Sequence, residues 1–294
     1  SNSLPIRVYG MLDGNNDELM KHWFAQGPLI DKSGFLNIRS IKVFYDGSLG
    51  SRTALMEEPY SDQIGKSLAT ERISTKKILQ LGRKAADKGF QMAVHAIGDK
   101  GNNQVLKLYE EILDTNGIFD HRWRIEHAQV LFPNFYSRAA ELKVLASIQS
   151  SHAVGDSKWA EDRIGSERIQ DAYAWQNILK SGVRLLLNSD LPGEPWKPME
   201  TLYFAVNRKP LDSTKESKGW YMNQALTVEE ALKAMTIENA YGAFQEKKLG
   251  SIEVNKLADF IIIDQNPLTV VSEDIKNIKV LETWVSGIKV NSIN

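Results

Sequence analysis

The sequence contains no cysteine, and that absence removes several kinds of chemistry. Disulfide bonds, thiolate zinc sites and thiol nucleophiles are all excluded. A bound metal would therefore depend on histidine, on carboxylate or on a less common ligand. Histidine is itself scarce, because the whole chain has only 5 of them.

The sequence also lacks an excess of either charge and any long apolar run. Its 36 Lys and Arg residues nearly balance its 37 Asp and Glu residues, which leaves no electrostatic footprint for nucleic acid or an anionic membrane. No apolar run approaches the roughly 18 residues that a membrane span needs. We therefore expect a small-molecule substrate, with neither nucleic acid nor membrane as a partner.

The first residues lack the pattern of a signal peptide, which begins with a basic region followed by an apolar stretch. The start at Ser1-Asn2 is interpreted as a cloning remnant, since a strand-like segment follows almost at once. We expect the natural amino terminus and upstream sequence to be missing, and we predict a cytoplasmic location.

The composition that remains is typical of a globular protein, with 42% hydrophobic and 25% charged residues. A length of 294 residues fits two ordinary domains, and it fits one α/β barrel with an appendage equally well.

Between residues 4 and 190, short β-rich runs alternate with longer helical patterns. The helical patterns lie near 17–26, from Ser74 to Gly89, before Gly117, from Pro133, and over 167–180. Six strands are predicted at 4–10, 40–47, 90–96, 123–127, 144–148 and 183–187. Parallel strands need long crossover connections, so this alternation predicts a parallel sheet. The rhythm alone does not decide between a barrel and an open sheet.

The pattern changes after Pro198. Two helices are predicted, one over 199–207 and one from the capping box Thr227…Glu230 through Phe244. Short β runs follow at 257–264 and 280–290, with a turn at Ser286-Gly287. These runs indicate a small β appendage.

Polar side chains gather where the predicted strands end, which is where parallel α/β folds bind ligands. They are Lys42, Asp46, His95, Asp99, Glu126, His127, Gln149, His152 and Asp190. Each has a structural explanation: a lone histidine is usually hydrogen-bonded structure, Lys42 would pair with Asp46, and Asp99 and Asp190 would cap helices. Glu126 would pair with Arg122 or Arg124. Taken together, however, histidine and carboxylate on several strands match what a divalent metal needs without cysteine.

Several of these residues lie in segments that resemble the successive signatures of the amidohydrolase superfamily, in its YtcJ-like amidohydrolase 3 group. The segments are IKVFYDGSLGSR (41–52), VHAIGD (94–99), RIEHAQ (124–129), SIQSSH (147–152), NSD (188–190) and LGSIEVNKLADFIIID (249–264). The resemblance covers nearly the whole chain in order. It implies a (β/α)8 TIM-type barrel with a small β-sandwich, acting as a metal-dependent hydrolase on C–N bonds.

The same resemblance implies roles for individual residues. Lys42 would be carboxylated on its amine and bridge two divalent metals, for which zinc is the predicted ion. His95 and His127 would ligate the second metal. Asp190 would bind the first metal and act as the catalytic general base, while Asp46 and His152, on loops, would face the substrate. Trp159, Trp196 and Trp220 hint at an apolar substituent on that substrate.

In the family pattern, a His-x-His pair on the first barrel strand supplies two ligands to the first metal. This sequence departs from the pattern because it contains no His-x-His pair. In family order, 4–10 corresponds to the third barrel strand, so we expect strands one and two to lie upstream. Residues 1–246 are then an incomplete barrel of strands three to eight, and 247–294 are part of the β-sandwich. We expect this fragment alone to hold one metal or none and to be inactive.

Two further expectations follow from an incomplete barrel. Its open edges at strands three and eight predict a homo-oligomer. The alternative to an enzyme is a non-catalytic regulatory or binding protein on the same scaffold. A nucleotide-binding domain is disfavoured, since no strand is followed by a glycine-rich phosphate loop.

Overall fold

The computed structural model describes residues 4–63, 69–117 and 119–292, so the proposed cloning remnant at residues 1–2 lies outside the described residues. The strands are β1 (Val8–Asp13), β2 (Leu29–Ile30), β3 (Leu36–Phe44), β4 (Gln91–Ala96), β5 (Arg124–His127), β6 (Leu145–Gln149), β7 (Leu185–Asn188), β8 (Phe260–Ile263), β9 (Val280–Val285) and β10 (Ile288–Ser292). The α-helices are α1 (Asp17–Gln26), α2 (Thr75–Lys88), α3 (Asp99–Asn116), α4 (Phe135–Glu141), α5 (Ser150–Asp156), α6 (Ala160–Arg168), α7 (Trp175–Lys180), α8 (Pro198–Asn207), α9 (Val228–Met235) and α10 (Ile237–Gly242).

The chain forms two compact units. One comprises Ser1–Ser147 and Lys158–Arg184, and the other comprises Ile148–Ser157 and Leu185–Asn294. The predicted boundary between 246 and 247 is a different division, and it stays a prediction.

The first unit is built on parallel strands in chain order. β1 pairs with β3, β3 with β4, β4 with β5, and β5 with the start of β6, all in parallel. The short β2, which the sequence analysis did not predict, pairs antiparallel with β3. All six residues of β4 are buried, as expected for a strand whose two faces are both covered.

The helix α2 shows how the local sequence sets these elements. The Ser74 side chain accepts a hydrogen bond from the backbone N–H of Lys77, and this caps the first turn. Ile78, Leu81 and Ala85 recur at helical spacing and are buried. The helix ends at Gly89, whose φ of 75° is a left-handed conformation that glycine adopts without a steric penalty.

The second unit contains the carboxyl end of β6, the strand β7, and a three-stranded antiparallel sheet of β8, β9 and β10. The amide of Gln149 donates to the side chain of Asn188 at 3.0 Å. An ion pair of the buried Lys209 with the half-buried Glu273, 2.6 Å between Nζ and Oε1, connects the segment after α8 to the 3₁₀ turn before β9. The antiparallel sheet is the predicted β appendage.

The six predicted strands of the alternating region occur in the predicted order, but α5 and α6 were not predicted and several predicted boundaries are wrong. The first strand begins at Val8 because its ladder partner in β3 begins at Leu36. Pro133 does not open a helix, since α4 starts after Asn134. The predicted helix 227–244 is divided at Thr236, which has φ −120° and ψ −88°.

The predicted helix over 167–180 is confirmed only in its second half, where α7 occupies Trp175–Lys180. A 3₁₀ turn occupies Ile169–Asp171, and Ala172 forms an isolated bridge with Val130. The backbone N–H of Tyr173 donates to the carbonyl of Gln129 at 2.7 Å. The apolar residues here are buried by these tertiary contacts. Their spacing in the sequence resembles that of a helix although the backbone between Ile169 and Ala172 is not α-helical.

Candidate functional site

The register of three neighbouring strands brings Lys42, His95 and His127 to the same end of the first unit. Phe44 lies opposite His95, and Ala96 lies opposite His127. The His95 and His127 ring centres are 4.4 Å apart. The Lys42 ammonium is 4.6 Å from the centre of the Phe44 ring, which in turn lies 5.2 Å from that of His95. Three of the predicted metal ligands therefore lie at the same end of three neighbouring strands.

His95 has the hydrogen-bonding arrangement of a metal-ligating histidine. Its Nε2 lies 3.0 Å from the carbonyl oxygen of Gly47. That carbonyl can only accept, so Nε2 carries the proton and Nδ1 keeps its lone pair. Nδ1 is buried and has no hydrogen-bond partner among the residues that the structure describes. A backbone carbonyl that fixes one ring nitrogen while the other is left available is typical of zinc-binding histidines.

Electrostatics also hold His95 neutral. Burial, and to a smaller extent the neighbouring His127, lowers the pKa of His95 to about 3. A neutral imidazole is the form that ligates a metal.

Asp46 is fully buried in the loop after β3. Its carboxylate accepts backbone N–H groups of Leu55 at 3.0 Å, Ile97 at 3.0 Å and Gly98 at 2.9 Å. Burial raises the pKa of Asp46 to about 6, although those three hydrogen bonds oppose the rise. Gly98 is needed here, because a Cβ would lie 1.9 Å from the carbonyl oxygen of Leu55. The hydrogen bonds of Asp46 thus connect the loop after β3 to the loop after β4. Its predicted contact with substrate stays a prediction.

Glu126 forms the ion pair expected for it, with Arg124 as the partner. The Arg124 Nε and a Glu126 carboxylate oxygen are 2.5 Å apart, and both side chains are buried. Burial opposes ionisation of Glu126, but Arg124 and then Lys42 outweigh it and lower the pKa of Glu126 to about 2. Glu126 therefore stays ionised, and its carboxylate interacts electrostatically with Lys42 as well as with Arg124.

In the second unit, His152 lies between two carboxylates. Its Nε2 is 3.7 Å from Asp190 Oδ2 and 3.6 Å from Glu194 Oε1. His152 belongs to α5, so its predicted place on a loop is wrong. Glu194 was missed in the sequence analysis because it lies in a turn and does not end a strand. Its spacing of four residues from Asp190 was the available signal.

The two aspartates proposed as helix caps do not cap the helices that follow them. The next helix after Asp190 is α8, which begins after Lys197. Asp99 is the first residue of α3, and its carboxylate accepts from the N–H of Glu57 at 2.9 Å and of Lys100 at 2.7 Å.

The predicted aromatic substrate contacts are better explained by packing for two of the three tryptophans. The guanidinium of Arg163 lies 5.1 Å from the Trp159 ring centre, and that of Arg208 lies 5.6 Å from the Trp220 ring centre. Trp196 is 65% exposed.

Within the described ranges, no helix is both long and apolar enough to cross a membrane.

Comparison with known proteins identifies the family of this chain. The sequence profile of the amidohydrolase family matches residues 1–290. LONG AFTER FAR-RED 3 of Arabidopsis thaliana is 37% identical over 256 residues, which are 87% of this chain and 43% of that protein. YtcJ of Bacillus subtilis is 33% identical over 86% of this chain and 47% of its own length. An N-substituted formamide deformylase of Arthrobacter pascens is 26% identical over 85% of this chain and 45% of its own length.

A solved structure supports the same conclusion. A metal-dependent hydrolase of Pyrococcus horikoshii superposes with a TM-score of 0.78 at 30% identity, covering 91% of this chain and 52% of that one. The chain thus spans about half the length of the proteins it resembles. The predicted incomplete (β/α) barrel with a small antiparallel sheet is confirmed. The chain belongs to the amidohydrolase family, as a YtcJ-like member.

Proposed function

We propose that the complete protein is a metal-dependent hydrolase that cleaves the C–N bond of an amide, a formamide or a cyclic amide. The arrangement of His95 is the observation that carries this proposal, because its buried Nδ1 is left without a partner while Nε2 is fixed by Gly47. Membership of the amidohydrolase family and the likeness to a formamide deformylase support the C–N class.

The donor set of the first unit fits a divalent metal. His95 offers Nδ1, and His127 offers a second imidazole with its ring centre 4.4 Å away. A neutral lysine amine takes up CO2 to form a carbamate anion, and we propose this modification for Lys42. Without cysteine, nitrogen and oxygen donors of this kind favour zinc. We propose that Lys42, His95, His127 and Asp190 hold one or two such ions in the complete protein.

A divalent metal bound there would supply a nucleophilic water at neutral pH and polarise the substrate carbonyl. In the proposed reaction, Asp190 is the catalytic base that takes a proton from the attacking water. Asp190 then passes this proton to the leaving nitrogen, so that amide and water become carboxylic acid and amine. Asp46 and His152 are proposed to contact the substrate.

We propose that the 294-residue chain on its own is inactive and holds one metal loosely or none, since it contains no His-x-His pair. Metal analysis of the purified chain beside the full-length protein tests this. Two tightly bound ions per chain would contradict it.

The activity itself is tested with the full-length protein, loaded with zinc, on N-acyl amines, N-substituted formamides and cyclic ureas. We expect hydrolysis of the C–N bond in one of these classes, seen as release of amine or as ring opening, and a loss of about a hundredfold or more in Asp190→Asn. A full-length protein that binds zinc but cleaves none of them would instead favour the non-catalytic alternative.

A further inference from the structure

A groove on the first unit, away from the strand ends, has no role in the proposed chemistry. It lies between α1 and α2 and has a volume of about 440 Å³. Its lining residues, which define the lysine groove, are Asp17, Met20, Lys21, Phe24, Lys77, Gln80, Leu81, Lys84, Asp87 and Lys88. Six of these ten are exposed, so the groove is open to solvent.

The floor of the lysine groove is apolar. Met20 and Phe24 of α1 and Leu81 of α2 form it, and each is at most 9% exposed. The ammonium of Lys84 lies 5.7 Å from the Phe24 ring centre. Lysine side chains place their methylene stems along apolar surface while the charge remains in water, so they widen the apolar walls.

The rim of the groove is positively charged. It carries four lysines and two aspartates. One of these lysines, Lys77, forms an ion pair with Asp17. Among the described residues, Lys21, Lys84 and Lys88 take part in no ion pair. Lys77, Lys84 and Lys88 are seven and four residues apart, which puts them on one face of α2. They span about 16 Å at the rise of an α-helix.

We propose that the lysine groove is a docking site for an acidic, amphipathic helical segment of another protein. The apolar floor accepts side chains at helical spacing, and the row of ammonium groups complements glutamates that flank them. Charge complementarity is what selects this occupant. The chain's own acidic helix α9 is a weaker match, because Glu229 pairs with Lys233 and Glu230 completes the cap at Thr227.

The test uses a fluorescently labelled peptide of roughly 18 residues, or about five helical turns, with leucines on one face and glutamates beside them. Binding to the purified chain is followed by fluorescence anisotropy. We expect binding that weakens as salt is added. Replacing Lys21→Glu, Lys84→Glu and Lys88→Glu together is expected to weaken it about tenfold or more.

A matched control replaces exposed lysines outside the groove, Lys107→Glu, Lys158→Glu and Lys180→Glu, and is expected to leave binding unchanged. A peptide with lysines in place of the glutamates should bind the groove variant better than the original chain, which a merely unfolded variant would not do. The proposal is overturned if both triple variants weaken binding equally, or if a glutamate peptide without leucines binds as well. It is also overturned if the groove variant instead abolishes self-association in sedimentation velocity, because the occupant is then a second copy.

Discussion

At the scale of single residues, His95 makes a testable contribution to the pH dependence of stability. Its pKa is lowered to about 3 in the folded chain by burial, whereas the unfolded chain protonates this side chain near its ordinary value of 6.5. The unfolded state therefore binds more protons below pH 6.5, and stability falls as the pH falls. The slope for one such group is about 1.4 kcal/mol per pH unit.

Replacement of His95→Gln is expected to remove this slope. Urea unfolding of both proteins between pH 7.5 and about pH 5 measures it, since the relevant range lies below the ordinary histidine pKa. His22→Gln serves as the control, because that residue is exposed on α1. Equal acid sensitivity in the wild-type chain and the His95 variant would show that the imidazole is not held neutral.

The buried ion pair of Arg124 with Glu126 gives a second prediction for single residues. Arg124→Met leaves the Glu126 carboxylate buried without its partner, and such a change costs about 3–5 kcal/mol. The double variant Arg124→Met, Glu126→Leu is expected to recover most of that loss, since no buried charge remains. Denaturant unfolding measures both. A double variant no more stable than the single one would argue against a charge effect.

Residue identities were predictable where a strand end marks them. His95 and His127 were found that way. For Glu126 the sequence left Arg122 and Arg124 as alternatives, and the structure shows Arg124. The three backbone hydrogen bonds that hold Asp46 were not predictable, because they come from Leu55, Ile97 and Gly98, which only the fold brings together. Glu194 was missed for the same reason: its relation to His152 depends on the path of a turn.

At the scale of elements, glycines of two kinds are expected to respond oppositely to alanine. Gly89 ends α2 with φ 75°, where a Cβ is strained, so Gly89→Ala should destabilise the chain by about 1–2 kcal/mol. Gly155 lies within α5 in open space, so Gly155→Ala should stabilise it by about 0.4–1 kcal/mol. Thermal unfolding of the two variants provides the comparison. A shift in the same direction for both would contradict the backbone argument.

Element order was predictable because hydrophobic periodicity and capping residues act locally. The capping box at Thr227 and the stop at Gly89 are examples that the structure confirms. Breaks within helices were not predictable from the pattern. Thr236 departs from helical geometry although the apolar spacing continues through it, and the Ala172 bridge to Val130 replaces a helix by a contact distant in sequence.

At the scale of the whole molecule, the parallel strand order was predictable from chain rhythm, whereas the division into compact units was not. The units change at Ser147, Ser157 and Arg184, within or beside strands and helices that carry no boundary signal. Each unit is formed by two segments that are separated in the sequence. The composition along the chain does not indicate which segments pack together.

The open side of β1 gives the last prediction. Among the described strands, β1 lies at one end of the sheet order and pairs only with β3, so one row of its backbone groups faces away from any strand. Such an edge pairs readily with another chain unless charge blocks it. Ile6, just before β1, is 62% exposed and adds apolar surface there. We therefore expect the chain to self-associate as its concentration rises in sedimentation velocity.

Placing a charge at this edge with Ile6→Lys is expected to shift the distribution towards monomer. Ile252→Lys is the matched control, since that isoleucine is 87% exposed but lies in the second unit, outside any strand. Association lost only in the Ile6 variant identifies the edge of β1 as the contact. A wild-type chain that stays monomeric at all concentrations would refute edge pairing, and equal loss in both variants would assign association to exposed apolar surface in general.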